Sequence, residues 1–291
     1  MHITKGQKIF NLFNVLLLLV LVILCIYPVY YVMVASISEP TEIMKNDGVL
    51  LYPLGFSLAS YKSCFQNPMI LSGYANTIFI LVVGVSISML LTSFAAYFLS
   101  RKNVLLQAPI MFFFVFTMFF SGGMIPFYLT VKDIGIDNTL WAVILPSAVS
   151  TFNLIILRTG FASVPVSLEE SAYIDGANDF TILFRVICPL AKSSLAVIVL
   201  YYTVSYWNSW FNASIFLRDR ELYPLQLVLR DILIANNNSD MAVSGGLGDY
   251  EGVAETIKYA VIVVATLPIL CLYPFLQRYF VKGVMIGAVK E

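Results

Sequence analysis

The stretch Val164-Pro165-Val166-Ser167-Leu168-Glu169-Glu170-Ser171-Ala172-Tyr173-Ile174-Asp175-Gly176-Ala177-Asn178-Asp179-Phe180 is a polar island between apolar runs, and it continues through Arg185 to Cys188-Pro189-Leu190. Ser167, Leu168, Glu169 and Glu170 fit a capping box, in which a Ser hydroxyl caps the N3 amide and the N3 carboxylate returns to the cap amide. A helix starting near Leu168 is therefore expected. Gly176 follows two turns later and suits the left-handed C′ position, where a residue without Cβ carries no steric cost. Asn178 or Asp179 then caps a second helix, whose Phe180, Leu183, Phe184 and Ile187 recur at i, i+3, i+4 and i+7. Pro189 is expected to stop it. The island thus reads as two short helices at an angle, each with an apolar and a charged side. Residue physics alone fits two roles equally: a loop lying in a membrane interface, or a compact knob that docks on another protein.

The surroundings of the island decide the fold class. Of 291 residues 59% are hydrophobic and 12% charged, and the mean hydropathy is +0.86. A globular chain is about half apolar and a quarter charged, so this is a polytopic, all-α membrane protein. Windows of about 20 apolar residues fall at 12–36, 74–98, 107–128, 139–157, 193–213 and 259–277, which predicts six transmembrane helices. None of these windows contains Asp, Glu, Lys, Arg or His. The apolar stretch from Ile9 to Ala35 is longer than a signal-peptide core and is read as an uncleaved first span. Residues 1–72 then form an N-terminal tail, first span and outer segment. Residues 73–280 form a core of five spans with an inner loop 158–192 and an outer loop 214–258, and 281–291 form a second inner tail.

Charge sets the sidedness. With the N-terminus inside, the inner segments hold Lys5, Lys8, Arg101, Lys102, Arg158, Arg185, Lys192, Arg278, Lys282 and Lys290 of the 17 basic residues, but only Glu169, Glu170, Asp175, Asp179 and Glu291 of the 17 acidic ones. The inner face carries a surplus of five positive charges and the outer face five negative, as the positive-inside rule requires. Both termini, and the polar island, are expected in the cytoplasm. The outer segment 37–73 has turn chemistry at Ser38-Glu39-Pro40 and Asn67-Pro68, and 214–258 has the polar composition of a flexible loop. A formal net charge of zero argues against a nucleic-acid partner. Cys25, Cys64, Cys188 and Cys271 lack the spacings of a metal or redox site, and His2 is the sole histidine.

The island then carries a resemblance. Glu170-Ser171-Ala172, Asp175-Gly176-Ala177 and Pro189 match in spacing the EAA loop of bacterial ABC importer permeases, with Ser171, Val186 and Cys188 departing from the pattern in kind but not in character. Asn76-Thr77, Ala95-Ala96-Tyr97-Phe98-Leu99-Ser100-Arg101, Gly123-Met124-Ile125-Pro126, Asn138-Thr139-Leu140-Trp141-Ala142, Trp207-Asn208-Ser209-Trp210 and Gln277-Arg278-Tyr279-Phe280-Val281-Lys282-Gly283 resemble the carbohydrate-importer branch of those permeases. The resemblance implies the type I ABC importer permease fold in a bacterial cell membrane. It also implies a second, homologous permease subunit, two cytoplasmic ABC ATPase subunits, an extracellular or periplasmic sugar-binding protein, and surrounding lipid. Glu169, Glu170, Ala172, Asp175, Gly176, Ala177, Phe180 and Pro189 would form the ATPase-coupling surface. No Gly-Lys pair occurs in the chain, so no phosphate-binding P-loop can be written. This chain is expected to hold no cofactor and catalyse nothing, with ATP and magnesium on the partner ATPase.

A sugar path wants aromatic faces beside neutral hydrogen-bonding groups. Tyr202, Tyr206 and Trp210 at i, i+4 and i+8, with Asn208 nearby and Asn153 in the fourth span, are the candidates. An aromatic belt explains the tryptophans as well, and helix packing explains Asn153 as well. The outer acidic surplus weighs weakly against steering of acidic oligosaccharides. The competing reading is an ion-coupled secondary transporter of a small polar solute. Proton coupling usually needs ionisable groups at mid-membrane, and the six windows offer none.

Overall fold

In the computed structural model, residues 4–46, 48–101, 104–242, 257–271 and 274 are described, with backbone only for Lys5 and 235–242. The Gln277-to-Gly283 run, the 281–291 tail and the Gly-rich part of the outer loop lie outside them. All regular structure among the described residues is helical. The chain divides into two compact units, one of Met1–Pro68 with Leu229–Leu267 and one of Met69–Val228 with Pro268–Glu291.

In the first unit, α1 (Lys5–Ser36) opens with a capping box between Thr4 and Gln7. Almost every side chain from Ile9 to Leu24 is exposed. Such a surface is tolerable only in lipid or under a partner, and the helix closes all its own backbone bonds. The chain then folds back on the end of α1. Ser38 Oγ donates to the Val34 carbonyl at 2.7 Å and accepts from Leu54 N at 3.2 Å, and Tyr30 donates to the Leu51 carbonyl at 2.6 Å. Val34, Ala35, Ile43 and Leu50 close over these bonds, with Tyr31 edge-on to Tyr259. The expected turns hold: Pro40 starts α2 (Pro40–Met44), α3 (Ala59–Gln66) follows, and Asn67-Pro68 ends it.

The second unit is built on α4 (Pro68–Ser100). Its buried stripe of Ile70, Gly73, Thr77, Ile80, Gly84, Ser88, Thr92 and Ala96 recurs at three and four residues. Small and hydroxylated residues on one face let helices approach closely where water gives no driving force. Then come α5 (Gln107–Phe119), α6 (Met124–Asp133), α7 (Trp141–Ile144) with a 3-10 turn to Ser147, and α8 (Thr151–Ala162). Next are α9 (Val166–Ile174), α10 (Asp179–Ile182), a π segment Leu183–Ile187, α11 (Cys188–Leu190), α12 (Lys192–Trp207) and α13 (Trp210–Phe216).

Among the described residues, the expected six spans do not form six unbroken helices. Only α1 and α4, among the described residues, are long and apolar enough to cross a membrane unbroken. The next windows are bent pairs: α5 with α6 at 119°, Trp141–Ser147 with α8 at 49°, and Asp179–Leu190 with α12 at 89°. The final window appears as a shorter helix, α15 (Ile257–Cys271). Hydropathy windows register apolar length but not direction, and Gly122-Gly123, Pro146 and Ala191 sit at the bends. The outer loop is also more ordered than its composition predicts, since α14 (Leu225–Ala242) occupies much of it. Asn76 Nδ2 donates to the Glu221 and Tyr223 carbonyls, and Thr77 Oγ1 accepts from Leu225 N at 2.8 Å.

Candidate coupling surface and translocation path

The polar island folds as the expected pair of helices around Gly176. Gly176 has φ +81°, its N–H donates to the Tyr173 carbonyl at 3.0 Å, and Ala177 N–H donates to the Ala172 carbonyl at 2.9 Å. Those two bonds are the Schellman pair, which satisfies the open carbonyls of α9. Asn178 then caps the next helix, its side-chain oxygen accepting from Thr181 N at 2.9 Å. The Tyr173 hydroxyl donates to Asp179, so a side-chain bond spans the turn. Accepting that bond, the Asp179 carboxylate pushes Tyr173 above the usual phenol range, and burial adds to it.

Three local expectations are corrected. Pro165, not Ser167, is the N-cap of α9, and no capping box forms. The helix begins two residues earlier than expected, so Ser167 lies inside the first turn and accepts through its carbonyl from Ser171. The ridge at Phe180, Leu183, Phe184 and Ile187 is split. The π segment Leu183–Ile187 adds a residue to the turn, so Ile182, Leu183 and Ile187 are buried while Phe180 and Phe184 stand out, edge-on to Phe94 at 6.0 Å each. Pro189 sits in the first turn of α11, where its missing N–H costs nothing, and the chain turns only at Ala191.

Glu169 is the fourth correction. Sequence groups it with the partner-facing residues, but its carboxylate is buried, with only 6% of the residue exposed. One residue along a helix is a rotation of about 100°; Glu170 points outward and Glu169 points at α4. There it pairs with Arg101, and Tyr97 donates to its other oxygen at 3.1 Å. Arg101 also donates to the Phe161 carbonyl at 3.1 Å and lies over the Tyr97 ring, 5.0 Å from its centroid. Sequence reading cites Arg101 as one of the inner positive charges and, with Tyr97, as part of a resemblance. The signal available was an Arg at the end of a span and two adjacent Glu, whose side chains leave the helix about 100° apart. The outward side of the knob carries Glu170 and Asp175 with Ile174, Tyr173 and Phe180, and Ile174 is 86% exposed. Ala172 and Ala177 pack beneath, against the core.

The aromatic path residues separate. Tyr202 and Tyr206 do share a face of α12, but that face lies against the small-residue stripe of α4. The Tyr206 hydroxyl donates to the Ile144 carbonyl at 3.1 Å and is 2.9 Å from Ser88 Oγ. The Tyr202 hydroxyl accepts from Ser150 N at 3.0 Å and is 2.7 Å from Thr92 Oγ1. Both rings are buried and offer no face to a solute. Trp210 does not continue their row, because α12 ends at Trp207 and α13 starts afresh after Asn208 and Ser209. Its indole is half-buried and edge-on to Phe211. Asn208 is exposed and donates back to the Val204 carbonyl at 2.8 Å. Asn153 is buried in the first turn of α8. At the α5–α6 break, an open groove of about 510 Å³ is lined by Ser121, Gly123, Pro126, Thr130, Phe211 and Ile215.

The chain is similar to known proteins in sequence and in fold. The chain is 43% identical over 260 residues to the polygalacturonan/rhamnogalacturonan transport system permease protein YtcP of Bacillus subtilis (strain 168), covering 89% of this chain and 91% of that protein. It is 40% identical over 292 residues to Protein LplC of the same organism, covering 100% and 98%. The crystal structure of a bacterial ABC transporter involved in the import of the acidic polysaccharide alginate contains a chain with a TM-score of 0.88 and 32% identity, covering 96% of this chain and 99% of that one. The family model for the binding-protein-dependent transport system inner membrane component matches residues 52–286. With its broken spans, its knob and these likenesses, the chain belongs to that family, the non-catalytic membrane permeases of ABC importers.

Proposed function

We infer that this permease carries a sugar or oligosaccharide inward, driven by ATP hydrolysis on two separate cytoplasmic ATPase subunits. A second, homologous permease completes the path, and an extracellular or periplasmic sugar-binding protein delivers the solute. The observation that carries this reading is the knob. Ile174 and Phe180 stand exposed beside the carboxylates of Glu170 and Asp175, on a turn that only Gly176 can make without strain. An exposed apolar point with an acidic rim suits a partner cleft with an apolar floor and a basic edge. Gly176 sets the angle, Ala172 and Ala177 give the knob a close-packed base, and Pro189 allows the tight start of α11. The charge distribution supports a cytoplasmic knob with both termini on that side. ATP and magnesium are assigned to the ATPase.

A saccharide cargo is supported by the substrates for which the similar proteins are named. The solved relative handles an acidic polysaccharide, so the acidic outer surplus of this chain is a poor guide to cargo. A docked binding protein would cover much of that face. With Tyr202 and Tyr206 sealed in packing, the path is better sought along Asn208, Trp210 and the groove between Ser121 and Ile215, which the exposed ring of Phe211 and the hydroxyls of Ser121 and Thr130 line. Asn153, buried in the first turn of α8, remains a candidate. Purification of the tagged full chain in mild detergent tests the reading: an ATPase should accompany the wild type and be depleted in Glu170→Lys. A stably inserted wild type that brings down no ATPase would contradict it.

A further inference from the structure

The buried pair between Arg101 and Glu169 is not explained by stability. Their side chains are only 14% and 7% exposed, and desolvating two charges costs about what their attraction returns, so apolar replacements are often neutral or better. What the pair supplies is geometry. Arg101 reaches Glu169 on α9 and the Phe161 carbonyl at the end of α8, and its own backbone follows directly on α4. Tyr97 on α4 donates to the second carboxylate oxygen, so both oxygens of Glu169 are held. The Leu99 carbonyl, one of the open acceptors at the end of α4, takes Arg158 Nε at 2.7 Å and Gln107 Nε2 at 2.6 Å. The ends of α4 and α8 and the starts of α5 and α9 are therefore tied within one polar cluster.

We propose that Arg101 and Glu169 are positioning residues for coupling, a latch that makes the knob move as one body with the inner ends of α4 and α8. This rests on the reading of the knob as an ATPase seat. Glu170 faces outward, and the next residue back is locked to a span, so a load applied at Glu170 passes through one peptide unit into α4. A nine-residue helix is shorter than the roughly 12 to 15 residues at which a free helix becomes even marginal in water. Without a lock it would roll or fray under load. Phe94 against Phe180 and Phe184 also ties the knob to α4, but that contact is apolar and non-directional, so it resists separation better than rotation.

The test uses the full chain assembled with its permease partner and ATPase, cysteines replaced, and spin labels at Ser167→Cys on α9, exposed but outside the seat, and Phe98→Cys on α4. The probes are ATP and ADP–vanadate. With the native latch, the distance distribution keeps a single narrow maximum through the nucleotide cycle. Glu169→Gln, isosteric but neutral, loses that maximum on ADP–vanadate trapping. Combining Glu169→Arg with Arg101→Glu restores it. Should Glu169→Gln not assemble, Tyr97→Phe leaves the ion pair and removes one bond, and it should broaden the distribution to a lesser degree. An unchanged narrow maximum in Glu169→Gln, or in Tyr97→Phe where that variant is used, overturns the latch while ATPase remains bound. Absence of ATPase from the unsubstituted assembly overturns the seat itself.

Discussion

The ring of Tyr206 occupies the space a side chain on Gly84 would fill: a Cβ placed there would fall 2.8 Å from the ring. The same tyrosine hydroxyl bonds Ile144 and lies within hydrogen-bond reach of Ser88. Gly84 and Tyr206 thus set how closely α4 and α12 approach.

Gly84→Ala should overpack this contact, at a cost of about 1–3 kcal/mol. Tyr206→Phe keeps the ring and loses the bonds, for roughly 1–3 kcal/mol because buried acceptors are left behind. Thermal unfolding of the detergent-solubilised protein reads both. A Gly84→Ala protein as stable as the wild type would show that the helices have room to separate.

Asn138 ties two loops that lie far apart in sequence. At φ +54°, its side-chain oxygen accepts from Arg218 N at 2.9 Å and Asp219 N at 3.1 Å, and its Nδ2 donates to Asp219 Oδ2 at 2.8 Å. Asn138→Asp keeps the acceptor but sets a second carboxylate against Asp219. It should therefore be destabilised at neutral pH and recover as pH falls toward about 4, where carboxylates protonate. A pH-independent effect would place the cost in the backbone instead.

Cys64 on α3 is buried, and burial pushes its thiol above the ordinary range. Thiolate is the reactive form, so maleimide labelling of Cys64 should be slow. Its rate should keep rising about tenfold per pH unit beyond the point where an exposed thiol levels off near its pKa of about 8.5. A plateau at the ordinary thiol pKa would mean the site is open to water.

The legible parts of this chain are those set by local chemistry. Gly176 and Asn178 announce a helix stop and a helix start, because left-handed backbone and a capping amide each need a particular side chain. The apolar windows announce membrane helices for the same reason of composition. Direction is harder to read. Nothing in a run of apolar residues tells that α5 and α6 bend by 119°, or that the π segment re-aims Phe180 and Phe184. Burial of a charge was also out of reach. Glu169 and Glu170 look alike in sequence, and only the packing of α9 on α4 separates the one that bonds Arg101 from the one that faces outward. Tyr202 and Tyr206 share a face, as their i, i+4 spacing predicts, but that the face meets helix α4 rather than a solute depends on Gly84, Ser88 and Thr92, more than 100 residues away.

The central claim is that the knob around Gly176 transmits a partner's ATP hydrolysis into this chain. Gly176→Pro tests it most directly, because proline fixes φ near −65° where the turn holds +81°, and it removes the N–H that bonds Tyr173. Saccharide uptake per ATP hydrolysed, measured on the assembled transporter in proteoliposomes, should fall at least about tenfold, within the range that lost coupling contacts produce, while membrane insertion persists. A wild-type ratio in Gly176→Pro would contradict the account.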